Sequence, residues 1–257
     1  LELCSCSTGG LTLDGGQLTV QGRSQGVTVF GGTLAVINGG ALQIGPPAGS
    51  NADLLVAGTL NITGPGSTVS TTGFTGVGIF DAGTLAIGGG GVLNSQVGAE
   101  VDSLFGAATV TVDGAGSAWN IGGLGGPGLS VGGDTTGGIG RLSITYGGTV
   151  TVTSGSVVIG DEIDGSSLLR VSGAGSALNV TSGQILIGDV SCGCGPLIGT
   201  LAIEDGAVVT ATSGTVIDAG NTLRLGTGGA GGTLITPTIA NAGGIVADFT
   251  DAVTLAA

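Results

Sequence analysis

The sequence predicts an all-β chain folded as a right-handed parallel β-helix, a single elongated β-solenoid over residues 1–257. Three observations lead there. Phrases recur at a fixed offset, apolar residues alternate with polar ones at period two, and glycine, 59 of the 257 residues, clusters between the alternating stretches. Fixed-period self-similarity is the signature of a stacked repeat fold.

The repeat is read first. Gly-Ala-Gly-Ser stands at 114–117 and again at 173–176, an offset of 59. Gly140-Arg-Leu-Ser-Ile-Thr-Tyr-Gly-Gly148 returns at the same offset as Gly199-Thr-Leu-Ala-Ile-Glu-Asp-Gly-Ala207. Looser copies stand upstream at Gly10-Leu-Thr-Leu-Asp14, Gly32-Thr-Leu-Ala-Val36, Gly64-Pro-Gly-Ser67 and Gly83-Thr-Leu-Ala-Ile87. The looser copies fill 9–107, clear units fill 108–220, and terminal coils follow over 221–257. No composition shift divides the chain.

Strands come next. Val110 and Val112 alternate with Thr109, Thr111 and Asp113, and Leu169 and Val171 take the matching slots. Leu142/Ile144 match Leu201/Ile203, and Val150/Val152 match Val209/Ala211. Period two means strands with one buried face. Trp119 and Leu178 fall at one inward position, as core fillers. Glycine between the strands suits tight corners, and it speaks against helices because each one costs a helix about 1 kcal/mol. Matched aliphatic residues are expected to stack as ladders, coil on coil, about 4.8 Å apart. Three coils of about 19 or 20 residues per unit would give about 13 coils and a rod of about 60 Å.

Composition then excludes function classes. Seventeen acidic residues against four arginines give a net charge of −13, with no histidine. Phosphate neutralisation needs a basic surface, so no nucleic-acid partner is expected. No apolar run reaches the ~18 residues of a membrane helix, so no membrane insertion of this segment is expected. Without histidine, neither a Ser-His-Asp site nor a His-ligated metal is buildable.

Candidate sites are few. Asp161, Glu162 and Asp164 form the densest acidic cluster and offer oxygen ligands suited to Ca²⁺, but the EF-hand spacing is absent. A solvated acidic turn is the preferred reading, and no metal or other cofactor is expected. The arginines, Arg23, Arg141, Arg170 and Arg224, are expected to be scattered along the rod. Asp113 and Asp134 are the pair weighed as hydrolytic carboxylates, yet the matched unit replaces Asp113 with Ser172. No enzymatic activity is expected. Thr149-Val-Thr-Val-Thr153 suggests a threonine array, but its matched unit breaks the pattern, so strand propensity explains it.

Val112-Asp-Gly-Ala-Gly-Ser-Ala-Trp-Asn120, Val171-Ser-Gly-Ala-Gly-Ser-Ala-Leu-Asn179 and the phrase Gly-x-Leu-x-Ile resemble a known repeat. It is the one shared by type V secretion (autotransporter) passengers and exported proteins with a PEP-CTERM tail. The resemblance covers 108–220 well and 9–107 loosely. It implies a β-helical, bacterial, extracellular or cell-surface protein, and it brings no catalytic residues. The expected function is a rigid acidic rod, a surface filament subunit or an adhesive stalk with a surface glycan or host-matrix ligand. The alternative is a carbohydrate-active β-helix enzyme or lectin.

No capping helix is visible in the sequence, so end-to-end self-association is expected. Cysteines bear on it. They form two Cys-x-Cys pairs, Cys4/Cys6 and Cys192/Cys194, the second inside an insertion of three residues relative to its matched unit. About nine coils would separate the pairs by about 40–45 Å, whereas a disulfide needs Cα atoms within about 7 Å. Disulfides linking subunits, local rings and a soft-metal site stand as alternatives, with metal the least favoured.

Overall fold

The computed structural model describes residues 2–3, 9–21, 26–45, 51–103, 105–123, 128–132, 139–160, 166–188 and 198–250. Within them the chain is all β, and every strand pairing is parallel. One coil shows the plan. Gly83–Gly88 lies in sheet a, Val92–Ser95 in sheet b and Gly98–Val101 in sheet c, each hydrogen-bonded to its counterparts one coil before and after. Sheet b has nine strands, so eight turns separate its first strand from its last. Sheets a and c merge into one 18-stranded sheet because Val27–Ile37 and Leu54–Thr63 run through the corner between them. The result is the parallel β-solenoid that the sequence predicts.

The ladders are as expected. In sheet a, Leu34, Leu60, Leu85, Val110, Leu142, Leu169, Leu201 and Leu223 stack in register, all essentially unexposed. Val36, Ile62, Ile87, Val112, Ile144, Val171 and Ile203 form the parallel row. Sheet b contributes Leu42, Val69, Leu93, Trp119, Val150, Leu178 and Val209. All join one continuous core, with Leu11, Leu13, Leu18 and Val20 half-buried at its first coil and Leu234 at its last. Small aliphatic residues suffice because each one touches its equivalents above and below.

The coil count differs from expectation. Ala118 pairs with Thr149, 31 residues on, and Thr149 pairs with Ala177, 28 residues on. The 59-residue unit therefore holds two coils, not three, and nine steps of 4.8 Å between the first and last strands of sheet a give a rod of about 43 Å. Trp119 and Leu178 do share one inward ladder, two coils apart with Val150 between them.

The corner from sheet a to sheet b explains the pairing of coils. It alternates between two chemistries. At Asn38-Gly39, Tyr146-Gly147 and Asp205-Gly206 both residues have positive φ, and Gly40, Gly148 and Ala207 donate back to Ile37, Thr145 and Glu204. That is a type I′ arrangement, used here to turn a corner rather than to close a hairpin. The intervening coils use Gly-x-Gly-Ser. Ser67, Ser117 and Ser176 donate to the carbonyls of Thr63, Asp113 and Ser172 at 2.7, 2.6 and 2.8 Å. The same oxygens accept N–H groups of Gly39, Gly90 and Gly147 on the preceding coil at 3.1, 3.0 and 3.0 Å. Each serine therefore fastens a corner of one kind to a corner of the other, which makes two coils the natural repeat. Ser176→Ala removes one acceptor and one donor in a buried place and is expected to cost about 1–2 kcal/mol, read as a lower urea midpoint at unchanged m.

Candidate functional site

Three surface features stand out on this frame. The first is the corner from sheet c to sheet a, where coil length varies. The connections span 78–82, 102–107, 132–139, 160–165, 188–197 and 218–221, all on one edge of the rod. Connections from sheet b to sheet c vary as well, from the two residues 72–73 to the nine residues 45–53, so both corners change length without disturbing the core. On the corner from sheet c to sheet a, Phe80 and Phe105 stand exposed on adjacent coils, at 54% and 69%. Sequence reasoning passed over both because neither lies in a repeat phrase.

Asp161, Glu162 and Asp164 belong to the 160–165 connection and Cys192 and Cys194 to the 188–197 connection, but these five residues, with Cys4 and Cys6, lie outside the described residues. The strands that precede the two cysteine pairs in the chain, Glu2–Leu3 and Ile185–Ile187, are seven pairing steps apart, or about 34 Å. Arg23 and Asp134 also lie outside the described residues. Asp113 accepts from the Thr145 hydroxyl of the next coil at 2.6 Å, a bond between rungs.

The second feature corrects the reading of the arginines as scattered. Arg170 and Arg224 sit two coils apart on one outward row of sheet a, with Ala202 between them. Glu204 engages both. Arg170 Nε donates to its Oε2 at 2.7 Å, and Arg224 Nη2 donates to its Oε1. The Glu204 side chain is 1% exposed while the arginine side chains are 41% and 38% exposed. Arg170 Nη2 also reaches Ser172 Oγ at 3.3 Å, and that hydroxyl donates to Asp205 Oδ2 at 2.7 Å. A carboxylate this buried is held by the two guanidiniums that cover it. With both Glu204 oxygens committed, the network clamps three coils together. The steps from Arg170 to Ala202 and from Ala202 to Arg224 are 32 and 22 residues, and coils of about 20 do not bring these arginines together.

The third feature is a groove of about 370 Å³ where sheet b turns into sheet c. Three successive coils build it, each with the residues that end its sheet-b strand: Asn94 to Gln96, Asn120 to Gly123, and Thr153 with Ser154. Asn120 Nδ2 donates to Asn94 Oδ1 at 2.9 Å, and Asn94 Nδ2 donates to Ser70 Oγ at 3.1 Å. The rim is thus a short amide ladder continuing the outward row of sheet b. Beneath it, a Cβ on Gly122 would meet the Gln96 carbonyl oxygen at 1.8 Å, and one on Gly123 would meet that of Ser154 at 1.8 Å. Bare backbone is required on that floor. Ser95, at the inner wall, accepts from the buried Trp119 Nε1 at 3.0 Å and bonds Thr75 Oγ1 at 2.6 Å. None of the nine sheet-b strands contains an ionisable residue.

No family model matches the chain, and no curated protein matches it. Among solved structures, the chain is similar to the crystal structure of a TibC-catalysed, hyper-glycosylated fragment covering residues 55–350 of TibA. The alignment covers 96% of this chain and 97% of that one, at 16% identity and a TM-score of 0.36.

Proposed function

We propose that this chain is a non-catalytic extracellular rod, a segment of a surface fibre or of an adhesive stalk on a bacterial cell. The supporting observation is the continuous parallel pairing of sheet a from Gly10–Asp14 to Gly244–Phe249, with a register shift between Leu225 and Gly229, over one continuous aliphatic core. Such a stack transmits length and stiffness, because each coil is fixed by hydrogen bonds and ladder contacts to both neighbours. Its net charge of −13 keeps parallel rods apart in solution.

Contact between copies runs end to end in this reading. Ile235, Ile245 and Val246, on the last described coil, are 53%, 39% and 47% exposed. Two measurements test the proposal. Antibodies against the chain are expected to label intact producing cells, and protease applied outside those cells is expected to remove the signal; labelling only after lysis would overturn the extracellular assignment. Negative-stain images of the purified chain should show stiff rods that lengthen by end-to-end joining as concentration rises, and compact, non-associating particles would count against the fibre.

A further inference from the structure

We infer that the groove at the end of sheet b is a binding site for a neutral oligosaccharide. The inference goes beyond the rod reading, since a purely scaffolding rod needs no polar groove, and it rests on the groove's own chemistry.

Size and charge narrow the ligand class. A volume of about 370 Å³ lies at the small end of the ~300–1,000 Å³ range of small-molecule sites. The net charge of −13 repels anions, and sheet b supplies no arginine to receive one. Nor do the described residues of the groove offer a carboxylate to compensate a desolvated cation, because they supply amide, hydroxyl, glycine and Ile121. A neutral ligand remains.

Hydrogen-bonding capacity narrows it further. A primary amide has two N–H donors and a carbonyl oxygen with two lone pairs. The ladder uses one N–H of Asn120 and one of Asn94, which fixes both amide planes while leaving each a second N–H. Gln96 and Thr153 stand exposed beside them. Paired donors and acceptors on a fixed frame suit vicinal hydroxyls, which also donate and accept. The bare backbone of Gly122, half-buried on the groove floor, gives the apolar C–H face of a pyranose a surface to lie on. Because the coils hold these groups in register before any ligand arrives, little ordering cost attaches to binding.

The chain contains its own reporter. Trp119 is the single tryptophan, and its indole N–H is bonded to Ser95, which lines the groove. The experiment titrates the full chain with neutral tetrasaccharides of several linkages (cellotetraose, maltotetraose, laminaritetraose, N-acetylated chitotetraose) and with tetragalacturonate as the acidic control. The Trp119 indole ¹H–¹⁵N resonance and the heat of binding are followed. At least one neutral sugar is expected to shift the resonance saturably, with tetragalacturonate silent. Asn120→Ala, at an exposed position, is expected to weaken binding about five- to tenfold with an unchanged circular dichroism spectrum. A flat response across the neutral panel, equal binding of the acidic sugar, or undiminished binding by Asn120→Ala and Asn120→Leu would each overturn the assignment. None of these results touches the images that test the rod, so the two proposals fail separately.

Discussion

Val171→Asp is expected to abolish folding of the central coils. Val171 is completely buried, between Ile144 on one coil and Ile203 on the next. A carboxylate there meets aliphatic carbon on both sides, with no cation within the ladder. It either ionises unpaired or takes up a proton and stays unsatisfied, and both outcomes are costly. The expected loss exceeds about 5 kcal/mol, in the range reserved for buried unpaired charge. Because coils couple to nearest neighbours, the damage should start locally. Hydrogen exchange should show protection lost first in Gly140–Thr145, Ser166–Ser172 and Ile198–Glu204, with Val27–Ile37 retaining its protection longer. Val171→Thr, nearly the same shape with one added hydroxyl, should cost about 1–3 kcal/mol and leave a cooperative transition. An Asp variant as stable as the parent would remove Val171 from the core.

How much of this was legible in the sequence depends on which sheet is considered. Sheet a announces itself, because Gly-x-Leu-x-Ile combines a tight corner with two inward aliphatics. Gly140 shows why the leading residue is glycine: a Cβ there would meet the Val101 carbonyl oxygen at 2.2 Å and the Gly132 nitrogen at 2.3 Å. Copies without that glycine escaped notice. Ser167-Leu-Leu-Arg-Val-Ser172 holds the same place in its coil, but a serine stands where the glycine would. With such copies unmarked, the clear repeat is one of 59 residues, and dividing it by three instead of two gives coils of about 20 residues. The shared inward position of Val112 and Val171 survives that error, because two residues 59 apart occupy one ladder whether the unit holds two coils or three.

The site features were harder to read, and the reason is geometric. Arg170, Glu204 and Arg224 carry no local motif, and only the correct coil length brings them together. The groove is built of asparagine, glutamine, threonine and serine, residues that look like ordinary outward strand positions until three coils align their ends. One signal was available. All sheet-b strands lack charge in a chain of net charge −13, and a face that excludes charge over nine successive strands is a property of the fold rather than of any one segment.

Trp119→Ala is expected to be the most damaging truncation in the core, costing about 3–5 kcal/mol. Two effects compete in setting that figure. Loss of the indole N–H removes one partner of Ser95 Oγ, but Thr75 Oγ1 remains bonded to it at 2.6 Å, so no polar atom is stranded. Volume therefore decides. Trp119 is the largest fully buried side chain, in a ladder otherwise made of leucine and valine, between Leu93 and Val150. Its neighbours cannot close over a hole, because their backbones are pinned by pairing on both sides. Trp119→Leu restores the residue type found at Leu42, Leu93 and Leu178 of the same ladder and should cost only about 1–2 kcal/mol. Urea titrations of the two variants separate the effects. If Leu proves as damaging as Ala, the lost hydrogen bond rather than the cavity governs this position.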